Sequence, residues 1–191
     1  FQKKINNKVH FSSDAGDCKI LQNPPVKQIL SKTLYDKIIN ENQNKKNKIV
    51  FIGQLANISI QPWYSNRNKY FNYINTLHAP IDFYASGYNL EKYFSILAEY
   101  KYVFNPLGIG DFLSMRYHEA LSLGCIPIQQ YSESMTGIYE EIENSNGLFF
   151  KNEKELSEIV ESIKNNECII KTKKYFLEEY FFNKLYPKIG I

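Results

Sequence analysis

Short apolar runs alternate along this chain with stretches in which apolar side chains recur every three or four positions. Lys48-Ile-Val-Phe-Ile-Gly53 is a continuous apolar run behind the polar Asn40–Asn47 segment, and it predicts a buried strand. Arg67–His78 carries Tyr70, Phe71, Ile74 and Leu77 at the spacing of one helix face. The alternation repeats with a strand over Ile81–Ala85, a turn at Ser86-Gly87, and a helix over Leu90–Tyr100 that turns Tyr93, Phe94, Leu97 and Ala98 inward. Tyr102–Phe104 reads as a third strand, stopped by Asn105-Pro106 and the glycines at 108 and 110. A helix follows from about Phe112 to Leu123, burying Leu113, Tyr117, Ala120 and Leu121, and Gly124 marks its end. Ile126–Ile128 and Gly147–Phe150 complete the strands. A last helix of the alternation, Glu153–Asn165, aligns Leu156, Ile159, Val160 and Ile163.

Strands alternating with helices predict an α/β fold: a Rossmann-like parallel sheet with helices on both faces, spanning residues 41–170. The two ends stand outside this alternation. Residues 1–40 form an N-terminal arm with a loop holding Asp14, Gly16 and Asp17, then Pro24-Pro25 and a helix over Val26–Ile39. Residues 171–191 contain an amphipathic C-terminal helix, Lys173–Tyr186, whose apolar face packs on its own domain or toward a partner lobe.

Composition narrows the picture. With 43% hydrophobic residues, 15 Tyr and 13 Phe among 191 residues, the chain can bury a core and fits one full domain with a short appendage. Lys+Arg 23 against Asp+Glu 20 leaves +3, with no basic stripe that would mark a nucleic-acid partner. Cys18, Cys125 and Cys168 are widely separated and contain no C-x-x-C pair, which argues against a zinc fold or disulfide scaffold. No stretch approaches the run of about 20 apolar residues that crosses a bilayer, so membrane association is not visible and the expectation is a soluble domain, cytoplasmic rather than lumenal. The first residue is Phe1 rather than Met, which reads as a fragment or processed chain.

In a parallel sheet, ligands sit outside the carboxyl ends of the strands. The segment Asn105-Pro-Leu-Gly108-Ile-Gly110-Asp111-Phe-Leu-Ser114-Met-Arg116-Tyr-His118-Glu119 joins a glycine-containing turn to a helix start. Free N–H groups and the positive end of a helix dipole suit an anion such as a diphosphate. Arg116 could add a forked cationic donor, and Glu119 could accept from sugar hydroxyls. Taken singly, each residue is explained more simply by a structural role: Arg116 and Glu119 as a surface ion pair, Asp111 or Ser114 as a cap, Gly108 and Gly110 as turn formers; their joint appearance after a buried strand is what points to a site.

These residues resemble a family. Gly110-Asp111, Ser114, Arg116, Glu119-Ala120-Leu121 and Gly124-Cys125-Ile126-Pro127-Ile128 look like the donor-site signature of exostosin-like glycosyltransferases, and Asp111 with Glu119 is similar to the paired-acid motif of many GT-B enzymes. The resemblance implies one lobe of a GT-B fold, the C-terminal lobe that holds the nucleotide sugar, with residues 1–40 leading from a missing N-terminal acceptor lobe. It implies that Glu119 binds the ribose hydroxyls and that Asp111 lies near the transferred sugar. Gly53 matches the glycine ending the first strand, Arg67 a basic residue for the phosphates, and Gly87-Tyr88 the segment lining the base. Gln54 stands where many related enzymes carry Arg, so phosphate neutralisation would rest on Arg67, Arg116 and the helix dipole.

The expected activity is transfer of a sugar from a nucleoside diphosphate donor, UDP-linked by preference, to a glycan or other hydroxyl acceptor. No D-x-D triplet occurs to hold a divalent ion, so neither metal nor other cofactor is expected. No P-loop and no H-E-x-x-H zinc motif exist, and Gly108-Ile-Gly110 lacks the third glycine of a dinucleotide fingerprint. Catalytic residues are not identified; His10, Asp14, Asp17 and Asp111 are weak candidates. The rival readings are a non-catalytic sugar-nucleotide-binding module, a GDP-fucose-dependent fucosyltransferase, and a nucleotide-sugar epimerase of the same fold.

Overall fold

The computed structural model describes residues 32–55, 64–108, 115–131 and 147–167. The Asp14–Asp17 loop, the start of the N-terminal helix, Gly110 to Ser114 and the C-terminal helix lie outside the described residues.

In chain order the elements are α1 (Lys32–Glu41), β1 (Lys46–Ile52), α2 (Ser65–Thr76), β2 (Ile81–Tyr84), α3 (Leu90–Ala98), β3 (Tyr100–Asn105), α4 (Met115–Ser122), β4 (Ile126–Gln130), β5 (Leu148–Phe150) and α5 (Glu153–Lys164). The five strands form one all-parallel sheet in the order β2-β1-β3-β4-β5, the Rossmann-like α/β architecture that the alternation predicts. From β1 the chain steps one way to β2, then returns past β1 to β3 and β4. Because parallel crossovers are right-handed, this reversal sends α2 to one face and α3 and α4 to the other.

Alternate side chains of each strand serve opposite faces. Ile49 and Phe51 pack with Phe71 and Ile74 of α2 and with Leu156, Val160 and Ile163 of α5. Val50 and Ile52 meet Phe94 and Leu97 of α3, Ala120 of α4 and Ile38 of α1. Both layers are dry, and Ile49, Val50, Phe51, Leu97 and Val103 are fully buried. The helix starts have local causes. The Asn89 side chain accepts from the Lys92 N–H at 2.9 Å to cap α3. At α5, Asn152 accepts from the Glu155 N–H at 3.0 Å while the Glu155 carboxylate takes the Lys151 N–H at 2.7 Å, a reciprocal cap at the first turn. The chain leaves α4 through Gly124 at φ +68°, a left-handed position that glycine adopts without strain.

Three strands run beyond the apolar cores that mark them in the sequence. β1 begins at Lys46, and the register with β3 shifts between Lys46 and Ile49, which lets its polar start continue the ladder. β3 begins at Tyr100, a polar-tipped residue that is nonetheless fully buried because its hydroxyl bonds Asp82 Oδ2 at 2.7 Å and Tyr84 Oη at 2.9 Å. β4 continues through Gln129 and Gln130, both buried. Among the described residues α4 opens at Met115, within the predicted Phe112–Leu123 helix. Tyr117, Ala120 and Leu121 are buried as expected, as are Phe94, Leu97 and Ala98 of α3, whereas Tyr93 is only half-buried.

Candidate functional site

The sheet order fixes where a crevice opens. Chain connections leave β1 and β3 in opposite directions, so the loops after these two neighbouring strands diverge above their carboxyl ends. β1 runs into Gly53, and β3 runs into Pro106, Leu107 and Gly108. The path after β3 is held by buried amides: Asn105 Nδ2 donates to Gln129 Oε1 at 2.5 Å, and Gln130 Oε1 accepts the Leu107 N–H at 3.1 Å. Gln129 Nε2 in turn donates to the Gln130 carbonyl at 2.7 Å. Paired in this way, the polar groups lose little by burial and stiffen the loop.

Two arginines meet at this crevice. Arg67, in the first turn of α2, lies against Gly108, where a Cβ would come within 3.1 Å of its Cζ and would clash with the end of the guanidinium. Arg116, the second residue of α4, lies against Gly53, where a Cβ would stand 3.5 Å from its Nη2 and 3.0 Å from Phe51 Cζ. The absence of a side chain at 108 is therefore what admits the Arg67 guanidinium, whereas at 53 a Cβ would meet Arg116 at ordinary contact distance and press instead on the Phe51 ring. Each stacks on an aromatic ring, Arg67 on Tyr64 at 4.5 Å and Arg116 on Phe51 at 5.5 Å. Neither has a carboxylate within 4.0 Å among the described residues. Both Nε atoms are buried without a hydrogen-bond partner among the described residues. Burial, and next the nearby Arg116 charge, lower the pKa of Arg67 against the opposing influence of Tyr64. Two like charges held together and left uncompensated form a locus for an anion.

Glu119 follows one turn along α4. It forms no ion pair with Arg116; its Oε2 accepts from Tyr93 Oη of α3 at 2.6 Å. Burial raises the carboxyl pKa, and the Tyr93 hydrogen bond and then the Arg116 charge oppose that rise. One strand further out, Gly87 takes φ +108° after β2, and Tyr88 is 42% exposed with its ring 6.4 Å from that of Tyr84.

Of the residues singled out in the sequence, Gly53, Arg67, Gly108 and Arg116 come together at the β1/β3 crevice, with Glu119 on the same short helix. Gly87 and Tyr88 lie on the same edge of the sheet. Gly110, Asp111, Ser114, His10, Asp14 and Asp17 lie outside the described residues, as does the side chain of His118. Sequence reading missed the Asn105–Gln129–Gln130 network, although an Asn closing one strand and a Gln pair closing the next was a visible signal. It also took Tyr93 as core alone. Among the described residues no three His, Cys, Asp or Glu side chains gather to hold a metal ion, and no helix is long and apolar enough to cross a membrane. No protein-family model matches the sequence, and no curated protein matches it either.

Proposed function

We propose that this domain is the donor-binding lobe of a GT-B-type glycosyltransferase, related to the exostosin-like enzymes, which transfers a sugar from a nucleoside diphosphate sugar, UDP-linked by preference, to a hydroxyl acceptor without a metal ion. The observation that carries the reading is the Arg67–Arg116 pair, two partly buried guanidinium groups with no neutralising carboxylate among the described residues, at the β1/β3 crevice where a sheet of this order takes its ligands. A diphosphate supplies two linked anionic groups for them. It would also supply acceptors for the buried Nε atoms, which otherwise represent an uncompensated desolvation cost.

In this reading the arginines do more than bind. Glycosyl transfer breaks the bond between the sugar and the diphosphate, so negative charge grows on the leaving phosphate as the transition state forms. Fixed guanidinium groups at this position favour that state over the ground state and accelerate the step. Glu119 accepts from the nucleoside sugar, and Tyr88 borders the base. The acceptor and any general base that activates it belong to a second lobe.

Thermal-shift screening of the chain against UDP, GDP, CMP and ADP tests the proposal. UDP should raise the melting temperature most, and Arg116→Ala and Glu119→Ala should each reduce the shift. A larger response to GDP would redirect the reading to a fucosyltransferase. No response to any nucleotide, or one indifferent to both substitutions, would refute the donor site.

A further inference from the structure

The environment of Glu119 carries an inference that rests on the proposed donor site and deepens it. A partly buried carboxylate usually finds a cation or several N–H donors. Glu119 has neither: Arg116 stays beyond ion-pair distance, and the hydrogen bond given to this carboxylate by the described residues comes from Tyr93 Oη, 2.6 Å from Oε2. The contact crosses from α3 to α4, so packing of the two helices sets it, not local helix geometry. Arg116 lies beside the same tyrosine hydroxyl, which links the anion locus to the carboxylate through one side chain. Among the described residues, the titratable groups facing Glu119 are thus the neutral Tyr93 phenol from α3 and the charged Arg116 from its own helix.

We infer that Tyr93 is a positioning residue: its hydroxyl takes one carboxylate oxygen of Glu119, fixes the orientation of the group, and leaves Oε1 as the acceptor for a hydroxyl of the nucleoside sugar while the phosphates rest on Arg67 and Arg116. The phenol suits this task because it brings one directional donor on a rigid ring. Burial raises the pKa of Tyr93 as well, so the proton stays on the phenol and the bond keeps its direction at any physiological pH.

Calorimetry of the whole chain and its Tyr93→Phe variant, titrated with UDP, with a UDP analogue lacking both ribose hydroxyls, and with inorganic pyrophosphate, separates the roles. The variant should bind UDP about tenfold more weakly, should bind the dideoxy analogue as the unaltered chain does, and should keep its pyrophosphate affinity. In the ligand-free proteins, a carboxyl-carbon NMR titration of Glu119, assigned with Glu119→Gln, should show a higher midpoint in Tyr93→Phe, a readout that a purely structural tyrosine would not move. Equal UDP affinity in variant and unaltered chain, an equal loss of UDP and pyrophosphate, or an unmoved midpoint would each overturn this inference and leave the donor site standing. Failure of the unaltered chain to bind either ligand would refute the donor site, and the titration would still decide whether Tyr93 holds the carboxylate.

Discussion

Replacing Arg67 by methionine should make the ligand-free protein more stable and the ligand-binding protein worse. Two unit charges at an effective permittivity of about 20 repel by about 4 kcal/mol at ~4 Å, falling inversely with separation. Partial exposure of the guanidinium groups and salt reduce the net repulsion between Arg67 and Arg116 to about 1 kcal/mol. Removing the buried, unpartnered Nε relieves roughly another 1 kcal/mol. Against this, the stacking of Arg67 on Tyr64 is worth about 0.5–1 kcal/mol, and methionine retains much of that contact through its flexible apolar chain. The hydrogen bond from Arg67 to the Gln54 carbonyl, at 3.5 Å and exposed, adds little. The balance is a gain of about 1 kcal/mol, or roughly 2–4 °C in Tm for a chain of this length. Thermal denaturation followed by circular dichroism at low ionic strength reads it directly, and about 0.5 M salt should shrink the gain. In parallel, pyrophosphate affinity should fall about tenfold. A variant that is destabilised by 1 kcal/mol or more and binds anions unchanged would show that Arg67 is a structural residue, and the reasoning from uncompensated charge would be wrong.

Other consequences can be checked independently. Gly108→Ala should displace the Arg67 guanidinium while leaving the sheet intact, so pyrophosphate affinity drops about tenfold with an unchanged far-ultraviolet spectrum. Gly147→Val should press into the buried Tyr117 ring, whose Cε2 would lie 3.0 Å from a Cβ at this position, and should cost about 1–3 kcal/mol in urea denaturation. Burial pushes the Cys125 thiol up, against the opposing Lys45 charge. The folded state therefore favours the protonated thiol, and its contribution to stability should decline as pH rises above about 8.5; Cys125→Ala should flatten that limb, and the native thiol should resist alkylation. The hydrogen bond from Tyr100, then that from Lys48, hold the Asp82 carboxyl below its usual range, so its contribution is present above about pH 4 and lost as pH falls. Asp82→Asn should remove that part of the acid-induced loss.

The parts of the fold that apolar spacing governs were legible residue by residue. Glu153–Asn165 reads as a helix because Leu156, Val160 and Ile163 share a face, and those three side chains are buried against α2 and the sheet. The strand ends were not, because Tyr100, Gln129 and Gln130 are polar by type and become buried only through partners far along the chain. The same physics divides the site. A glycine-containing turn that leads into a helix is visible as sequence, so Gly108 and Arg116 could be named from it, and Gly53 and Arg67 from the resemblance; their convergence depends on the reversal of strand order between β1 and β3. The partner of Glu119 was hidden because Tyr93 fits the inward pattern of α3, and only the packing of α3 on α4 shows where its hydroxyl goes.

If the proposed donor site is right, a nucleoside diphosphate lies across the carboxyl ends of β1 and β3. A crystal structure of the chain soaked with UDP measures this most directly. Diphosphate density is expected beside Gly53 and Gly108, with oxygens accepting hydrogen bonds from Arg67 and Arg116. Density at another edge of the sheet, or both guanidinium groups turned away from the phosphates, would contradict it.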